Sequence, residues 1–193
     1  ITGGSGSGKT SVSKMLEKLG VHIIDTDVIA HEIVEPNSEC LNELVDYFGD
    51  SILNDDKTLN RKKLASIAFS DKQKTVALSN ITHKYIKAEV VKDINTTDAE
   101  LVGIDGAVII GSNVEPLCEF IVSVIADKQS RITRIKTRDN ITDEQAIQRI
   151  NAQNDDEFYK ENSMYIIYNN GDIAQLESDV VGLFNKIKGN SFE

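Results

Sequence analysis

Two patterns of hydrophobic positions alternate along this chain. Short, mainly apolar runs, typical of strands buried in a parallel sheet, occupy positions 21–25, 101–105, 120–126 and 164–168. Between them, apolar residues recur every three or four positions, as on one face of a helix. The clearest stripe comprises Val12, Met15, Leu16 and Leu19, and Gly20 closes it. This alternation predicts an α/β fold with a mainly parallel sheet.

The segment 28–95 interrupts the alternation, because it carries helix signals and no strand signal. Pro36 must end a first helix, Ser38 and Asn60 suit the starts of two more, and Ser70 suits the start of a long one that reaches about residue 94. We predict that this segment is a helical insertion between two strands of the core.

The eight residues from Gly3 to Thr10 fit the phosphate-loop pattern G-x-x-x-x-G-K-S/T. Small residues let consecutive backbone amides turn towards a phosphate, and the following helix directs its positive end at the anion. A flexible linker could match by chance, but a linker would not continue into an amphipathic helix. We expect Lys9 to bind the β- and γ-phosphates and Thr10 to give its hydroxyl to Mg²⁺. The residues expected to bind ATP here are Gly4, Ser5, Gly6, Ser7, Gly8, Lys9 and Thr10.

A phosphate loop normally follows a buried strand, and only Ile1 and Thr2 precede this one. We therefore expect a first strand that begins upstream of Ile1. Together with the four apolar runs it predicts a five-stranded parallel sheet.

Carboxylates follow two of the predicted strands, at the sheet edge where α/β proteins bind ligands. Asp25 ends the run at 21–25 and Asp27 follows two residues later. The two carboxylates suit metal or hydroxyl chemistry; Asp27 could instead cap the next helix. Asp105 ends the run at 101–105, where it could orient Mg²⁺ or cap a turn at Gly106. The sequence leaves both alternatives for Asp105 open.

Three arginines recur at spacings of three and four and so share one face of a predicted helix: Arg131, Arg134 and Arg138. Such a stripe suits a lid that closes on phosphates and neutralises charge on the transferred group. The other interpretation is an ordinary solvated helix face. Thr142 and Gln145 form a capping-box pattern that opens the next helix.

The composition limits the classes of partner that we expect the protein to bind. The formal net charge of −10 disfavours general affinity for nucleic acid or anionic membranes. Cys40 and Cys118 are too few for a disulfide framework, so a reducing cytoplasm is the simplest expectation. No apolar run reaches the length of a membrane span.

In the order of its motifs the chain resembles the dephospho-coenzyme A kinase family. The resemblance rests on T-G-G-x-G-S-G-K-T at 2–10, I-D-x-D-x-I-A-H at 24–31, V-E-P at 34–36, R-x-x-x-R-D at 134–139, R-I-x-x-Q at 149–153 and N-x-G at 169–171. The chain departs from the family where 107–111 replaces a P-L-L-x-E segment and where Lys84, not proline, follows His83.

The resemblance implies a nucleoside-monophosphate-kinase-like core (1–27, 96–127 and 158–193), an acceptor domain (28–95) and a lid (128–157). It implies transfer of the ATP γ-phosphoryl group to the ribose 3′-hydroxyl of dephospho-coenzyme A, with ATP and Mg²⁺ required. By position, Asp27 looks like the base, Lys9, Arg134 and Arg138 like catalytic cations, and Asn169 like a neighbour of the adenine. Asp25, His31 and His83 would bind the acceptor, and Thr10 and Asp105 would hold the metal.

Two other functions fit parts of the pattern. A kinase acting on another small molecule or nucleotide would keep the loop and the lid but would not need V-E-P. A nucleotide-dependent switch would need a base-selective motif such as N-K-x-D, which the sequence lacks. Oligomeric state is left open.

Overall fold

The computed structural model describes residues 1–190 of the chain. The chain divides into two compact units, one formed by Ile1–Ile24 with the chain from Thr97 onward, the other by Asp25–Thr96. The helices are α1 (Lys9–Lys18), α2 (Thr26–Glu32), α3 (Glu39–Phe48), α4 (Arg61–Ala68), α5 (Lys72–Thr96), α6 (Lys128–Asp139), α7 (Asp143–Asn151), α8 (Asp156–Glu161) and α9 (Ile173–Asn190). The strands are β1 (His22–Asp25), β2 (Val102–Asp105), β3 (Val122–Ile125) and β4 (Tyr165–Tyr168).

The strands form two separate pairs, β1 with β2 and β3 with β4, so the predicted five-stranded sheet is wrong. Strands β3 and β4 are parallel, with Val122 opposite Tyr165. Between the pairs, Ile1 and Thr2 provide only an isolated bridge, in which Thr2 pairs with Ser123. The amide of Thr2 donates to the carbonyl of Val122 at 2.8 Å, and the amide of Gly106 donates to the carbonyl of Ile1 at 3.1 Å. Two residues make too few ladder bonds to count as a strand joining the pairs.

Helices α1 and α9 cover the strands of the first unit. The predicted stripe on α1 is found, with Val12 and Leu16 buried and Met15 and Leu19 partly buried against the same core. Buried side chains from β3 and α9 complete this core: Val122, Val124, Leu176, Val180, Leu183 and Ile187. Burying one such side chain stabilises the folded state by about 1.5–3 kcal/mol. This packing therefore holds α1 in place, and with it the loop at 3–8 that leads into the helix.

The segment 128–157 has a small apolar cluster of its own, in which Ile132 and Ile135 of α6 pack with Ala146 and Ile150 of α7. The predicted capping box is present: Thr142 Oγ1 accepts from the amide of Gln145 at 3.3 Å, and Gln145 Oε1 accepts from the amide of Thr142 at 3.0 Å. These contacts give the two helices a defined arrangement.

The second unit consists of α2 to α5. Ser38 and Asn60 cap α3 and α4 as predicted. For α5 the prediction of Ser70 was wrong, since the carboxylate of Asp71 accepts from the amides of Gln73 and Lys74 instead. Among the residues described, no helix is both long enough and apolar enough to span a bilayer.

A polar cluster joins α3 to α5 within this second unit. Glu43 accepts from Lys84 Nζ at 2.6 Å and from the hydroxyl of Tyr85 at 2.7 Å. The hydrogen bond from Lys84 lowers the pKa of Glu43. Lys84, which stands where the family usually has proline, therefore has a structural partner here.

Candidate active site

The loop at 3–8 leads directly into α1, whose N-cap is Gly8. Gly8 has φ 101°, a conformation that glycine adopts readily, and its carbonyl accepts from the amides of Ser11 and Val12. No side chain caps α1. The positive end of the helix is therefore available to an anion, as in phosphate-binding loops.

The hydroxyl of Ser7 lies in the same loop. Among the described residues it is the only buried side-chain N or O atom without a hydrogen-bond partner. Leaving such a group unsatisfied costs about 1–3 kcal/mol. A phosphate oxygen bound in the loop is a suitable acceptor for this hydroxyl, so the loop fits the phosphates of ATP.

At two glycines of the loop, side chains from elsewhere in the protein lie close to where a Cβ atom would be. A Cβ atom at Gly4 would lie 2.3 Å from Arg131 Nη2, and one at Gly8 would lie 2.1 Å from Asn169 Nδ2. The sequence pattern explained these glycines by the approach of a phosphate. The structure adds a second reason, the approach of an arginine and an asparagine.

Lys9 and Thr10 open α1. Lys9 Nζ donates to the carbonyl of Gly3 at 2.9 Å, so this ammonium group spans the two ends of the loop. The side chain of Thr10 is exposed. Both residues lie where the pattern predicts them, at the junction between loop and helix.

Arg134 and Asn169, two of the predicted site residues, meet at the loop. Arg134 Nη1 donates to the carbonyls of Gly6 and Ser7, each at 3.3 Å, and Nη2 donates to the carbonyl of Asn169 at 3.0 Å. Asn169 is buried and follows β4; its Nδ2 donates to the carbonyl of Ser7 at 2.8 Å. A residue from α6 and one from the end of β4 thus hold the same stretch of loop.

Arg138 lies one helical turn further along and does not contact the loop among the described residues. It forms a bidentate ion pair with Asp139, in which Nε donates to Oδ1 at 2.7 Å and Nη2 donates to Oδ2 at 2.9 Å. Arg149 also binds Asp139. These two arginines lower the pKa of Asp139 to about 2, the bond from Arg138 being the larger cause. The predicted cationic stripe is therefore divided, because Arg131 and Arg134 reach the loop and Arg138 binds a carboxylate.

Arg131 and Gln153 also contact the loop, although the sequence patterns assigned Arg131 only a place in the arginine stripe and Gln153 no role in the site. Arg131 Nε donates to the carbonyl of Ser5 at 2.9 Å, and Gln153 Oε1 accepts from the amide of Ser5 at 2.7 Å. The arginine spacing and the R-I-x-x-Q motif signalled both residues. Neither signal says which side chains reach a distant loop.

Gln153 also lines a cavity of about 200 Å³ together with Thr2, Ala107, Val108 and Ile110. The segment at 107–111, where the chain departs from the family pattern, therefore lies beside a residue that contacts the loop.

Asp105, at the end of β2, is buried, and its Oδ2 accepts from Ser13 Oγ of α1 at 2.7 Å. Ser13 was not predicted as a site residue.

No cluster of three or more His, Cys, Asp or Glu side chains that could hold a metal occurs in the described part of the chain. Mg²⁺ does not require one, because it usually binds nucleotides through one or two protein ligands, waters and phosphate oxygens. Thr10 and Asp105 carry oxygen atoms, the kind of ligand that Mg²⁺ takes.

In the helical unit, Asp25 is the N-cap of α2. Its Oδ1 accepts from the amides of Asp27 and Val28, at 2.8 and 3.1 Å. The capping role considered for Asp27 therefore belongs to Asp25. Asp27 and His31 lie four residues apart on α2 and share a face, and both side chains are exposed. His83 lies half-buried on α5.

The loop is rich in glycine, it precedes a helix without a side-chain cap, and a lysine and an arginine hydrogen-bond to its backbone. These features define the class of the protein, a phosphate-loop protein that binds nucleoside phosphates. The comparisons with known proteins then give the family. The sequence model of the dephospho-CoA kinase family (CoaE) matches residues 1–175. The chain is 34% identical to the dephospho-CoA kinase of Lactobacillus johnsonii over 190 residues, which cover 97% of this chain and 96% of that one. It is also 34% identical to that of Listeria monocytogenes over 193 residues, 98% of this chain and 96% of the relative.

A solved structure agrees. The dephospho-CoA kinase from Campylobacter jejuni matches with a TM-score of 0.70 at 26% identity, over 98% of this chain and 96% of that one. The chain belongs to the dephospho-CoA kinase family. It is an ATP-dependent phosphotransferase, and the family and the enzyme class predicted from the sequence are both confirmed.

Proposed function

We propose that this kinase holds the phosphates of ATP in the loop at 3–10 and transfers the γ-phosphoryl group to the ribose 3′-hydroxyl of dephospho-coenzyme A, with Asp27 as the base. The observation that carries the donor half is the buried, unpartnered hydroxyl of Ser7 in a loop that ends at an uncapped helix. The acceptor is proposed from the family to which the chain belongs.

The donor half needs positioning and positive charge, since phosphoryl transfer requires little covalent chemistry from the protein. Lys9 supplies an ammonium group at the junction of loop and helix. Its hydrogen bond to the carbonyl of Gly3 is replaced, or joined, by bonds to phosphate oxygens when ATP binds. Arg134 supplies a guanidinium group already at the loop. Asn169 is proposed to lie near the adenine, and Arg138 to act on phosphate after leaving Asp139.

The acceptor half centres on Asp27. Its carboxylate accepts the proton of the ribose hydroxyl as the hydroxyl oxygen bonds to the γ-phosphorus and the bond between that phosphorus and the bridging oxygen of ADP breaks. Asp25 caps α2 and so fixes the first turn of the helix that carries Asp27. His31, on the same face of α2, and His83 are proposed to bind the acceptor.

Mg²⁺ is proposed to be held by Thr10, with Asp105 contributing from the end of β2. When bound, the ion would neutralise charge on the β- and γ-phosphates. Ser13 supports this role, because its hydroxyl fixes the buried carboxylate of Asp105.

The roles of the segments follow the same division. We propose that 28–95 binds the acceptor and that 128–157 is the lid, on a core of 1–27, 96–127 and 158–193. The separate compactness of Asp25–Thr96 supports the first role, and the apolar cluster within α6 and α7 supports the second. A cytoplasmic location is proposed as well, supported by two cysteines that are both free thiols.

The test is a panel of acceptors with γ-labelled ATP. Dephospho-coenzyme A, nucleosides, nucleoside monophosphates and shikimate are offered separately, and the position of the label is read by mass spectrometry. Label on the 3′-oxygen of dephospho-coenzyme A alone is the expected result. Label on another acceptor indicates a different small-molecule kinase, and label released to water without acceptor indicates a nucleotide switch; both contradict the proposal.

A further inference from the structure

One residue of the phosphate loop, Ser5, is hydrogen-bonded by protein side chains through both its amide and its carbonyl. The amide of Ser5 donates to Gln153 Oε1 at 2.7 Å, and the carbonyl of Ser5 accepts from Arg131 Nε at 2.9 Å. Arg131 Nη2 also donates to Gln153 Oε1, at 3.4 Å. The three bonds form a closed network around Ser5, and no role proposed so far uses it.

The network is built into the interior. Arg131 is only 5% exposed, and its Nη1 lies 3.6 Å from Asp156 Oδ1, which balances its charge. The missing side chain at Gly4 leaves the space that its guanidinium group fills. A buried arginine destabilises a protein unless its donors and its charge are satisfied, so these partners determine where Arg131 can lie.

The network also joins both ends of one segment to the loop. Arg131 lies in the first turn of α6, and Gln153 follows the end of α7 by two residues. Gln153 therefore acts on Ser5 from the far end of the segment 128–157, whose helices are packed together by their own apolar cluster.

We infer that Gln153, together with Arg131, is a positioning residue that holds the backbone of Ser5, so that the loop has its nucleotide-binding shape before ATP arrives. This inference rests on the proposed ATP site at the loop. An ordered loop loses less conformational freedom on binding than a mobile one, and ATP affinity rises accordingly. Gln153 acts through Ser5 and does not touch the reacting atoms.

The competing effect is tighter ATP binding when Gln153 is removed, and the same experiment separates the two. A carboxamide oxygen on a loop amide offers the acceptor that a phosphate oxygen would offer, so Gln153 could compete with ATP. Competition predicts that removing the side chain tightens ATP binding. Positioning predicts that it weakens ATP binding.

The test compares Gln153→Ala with Gln153→Glu and with the control Gln148→Ala. Gln148 lies exposed on α7, so its loss should leave the loop unchanged. For Gln153→Ala we expect the dissociation constant and the KM for ATP to rise about 2- to 10-fold, the loss of one hydrogen bond, with kcat little changed. Equal or tighter ATP binding by Gln153→Ala than by the parental protein would overturn the inference.

A second measurement needs neither nucleotide nor turnover. Hydrogen exchange of the Ser5 amide in the nucleotide-free protein should be about 2- to 10-fold faster in Gln153→Ala, because its acceptor is removed. Gln153→Glu keeps an acceptor oxygen and should restore protection. Unchanged exchange in Gln153→Ala contradicts the network itself. If the parental protein fails to bind ATP while Ser5 exchange responds as expected, the proposed ATP site is wrong and the network stands.

Discussion

The two halves of the proposed site are prepared in different ways. At the phosphate loop, side chains from distant parts of the chain hydrogen-bond to backbone atoms of residues 5–7, and two of these side chains, Arg131 and Asn169, are buried. On α2, Asp27 and His31 are exposed, and Asp25 caps the start of the helix. Phosphates present the same geometry in every nucleotide, and a rigid loop suits them. We therefore expect removal of a positive charge at the loop to reduce ATP binding and rate together, and substitutions on α2 to reduce the rate alone.

Among substitutions at the phosphate loop, Lys9→Ala has the largest expected effect. Removing the ammonium group takes charge stabilisation from the transferred group, which typically lowers kcat about 10²- to 10³-fold, and it also weakens ATP binding. The measurement is steady-state kinetics together with calorimetric titration of ATP. Lys14→Ala is the matched control, because Lys14 is exposed on the same helix. Unchanged ATP binding by Lys9→Ala would count against the loop as the nucleotide site.

The two arginines of α6 give a smaller and graded effect. Arg134 bonds to the loop and to Asn169, so Arg134→Ala should lower kcat/KM roughly 10- to 100-fold, as expected for lost charged hydrogen bonds, and should also lower the melting temperature. Arg138→Ala should lower kcat less and leave the fold intact, since this side chain is 60% exposed. An equal loss of thermal stability in both variants would indicate that Arg138 is structural.

The smallest expected effect is on stability and depends on pH. The pKa of Asp139 is lowered to about 2, chiefly by Arg138, so ionised Asp139 stabilises the folded state above the ordinary carboxyl pKa, and this contribution is lost as the pH falls towards 2. Asp139→Asn should melt slightly below the parental protein at pH 7, and the difference should vanish near pH 2. Asp98→Asn, at an exposed position, is the control. A difference that persists at low pH would contradict this role of the ion pair.

The features that sequence could predict depend on residues close together in the chain. Thr142 with Gln145 and Ser38 with α3 are capping interactions within one turn of helix, and the loop at 3–10 is a continuous motif. The predicted five-stranded sheet was wrong because strand pairing depends on hydrogen bonds between distant segments, and Thr2 supplies only one bridge.

Within the site, spacing identified a helix face but not its neighbours. Arg131, Arg134 and Arg138 share a face of α6, yet only the first two lie beside the loop. The bond between Ser13 and Asp105 joins residues 92 positions apart, and a lone serine next to a buried valine carries no signal for it. Such contacts depend on how α1 packs against the strands, which the local pattern does not determine.

The most direct test of the two-part account is Asp27→Asn, measured for ATP affinity by calorimetry and for turnover with dephospho-coenzyme A. Glu32→Gln is the control, because Glu32 is an exposed acid on the same helix. The account predicts that Asp27→Asn lowers kcat about 10²- to 10⁴-fold, the contribution of a general base, with the dissociation constant for ATP unchanged. Turnover at the parental rate, or a loss of ATP affinity as large as the loss of rate, would contradict it.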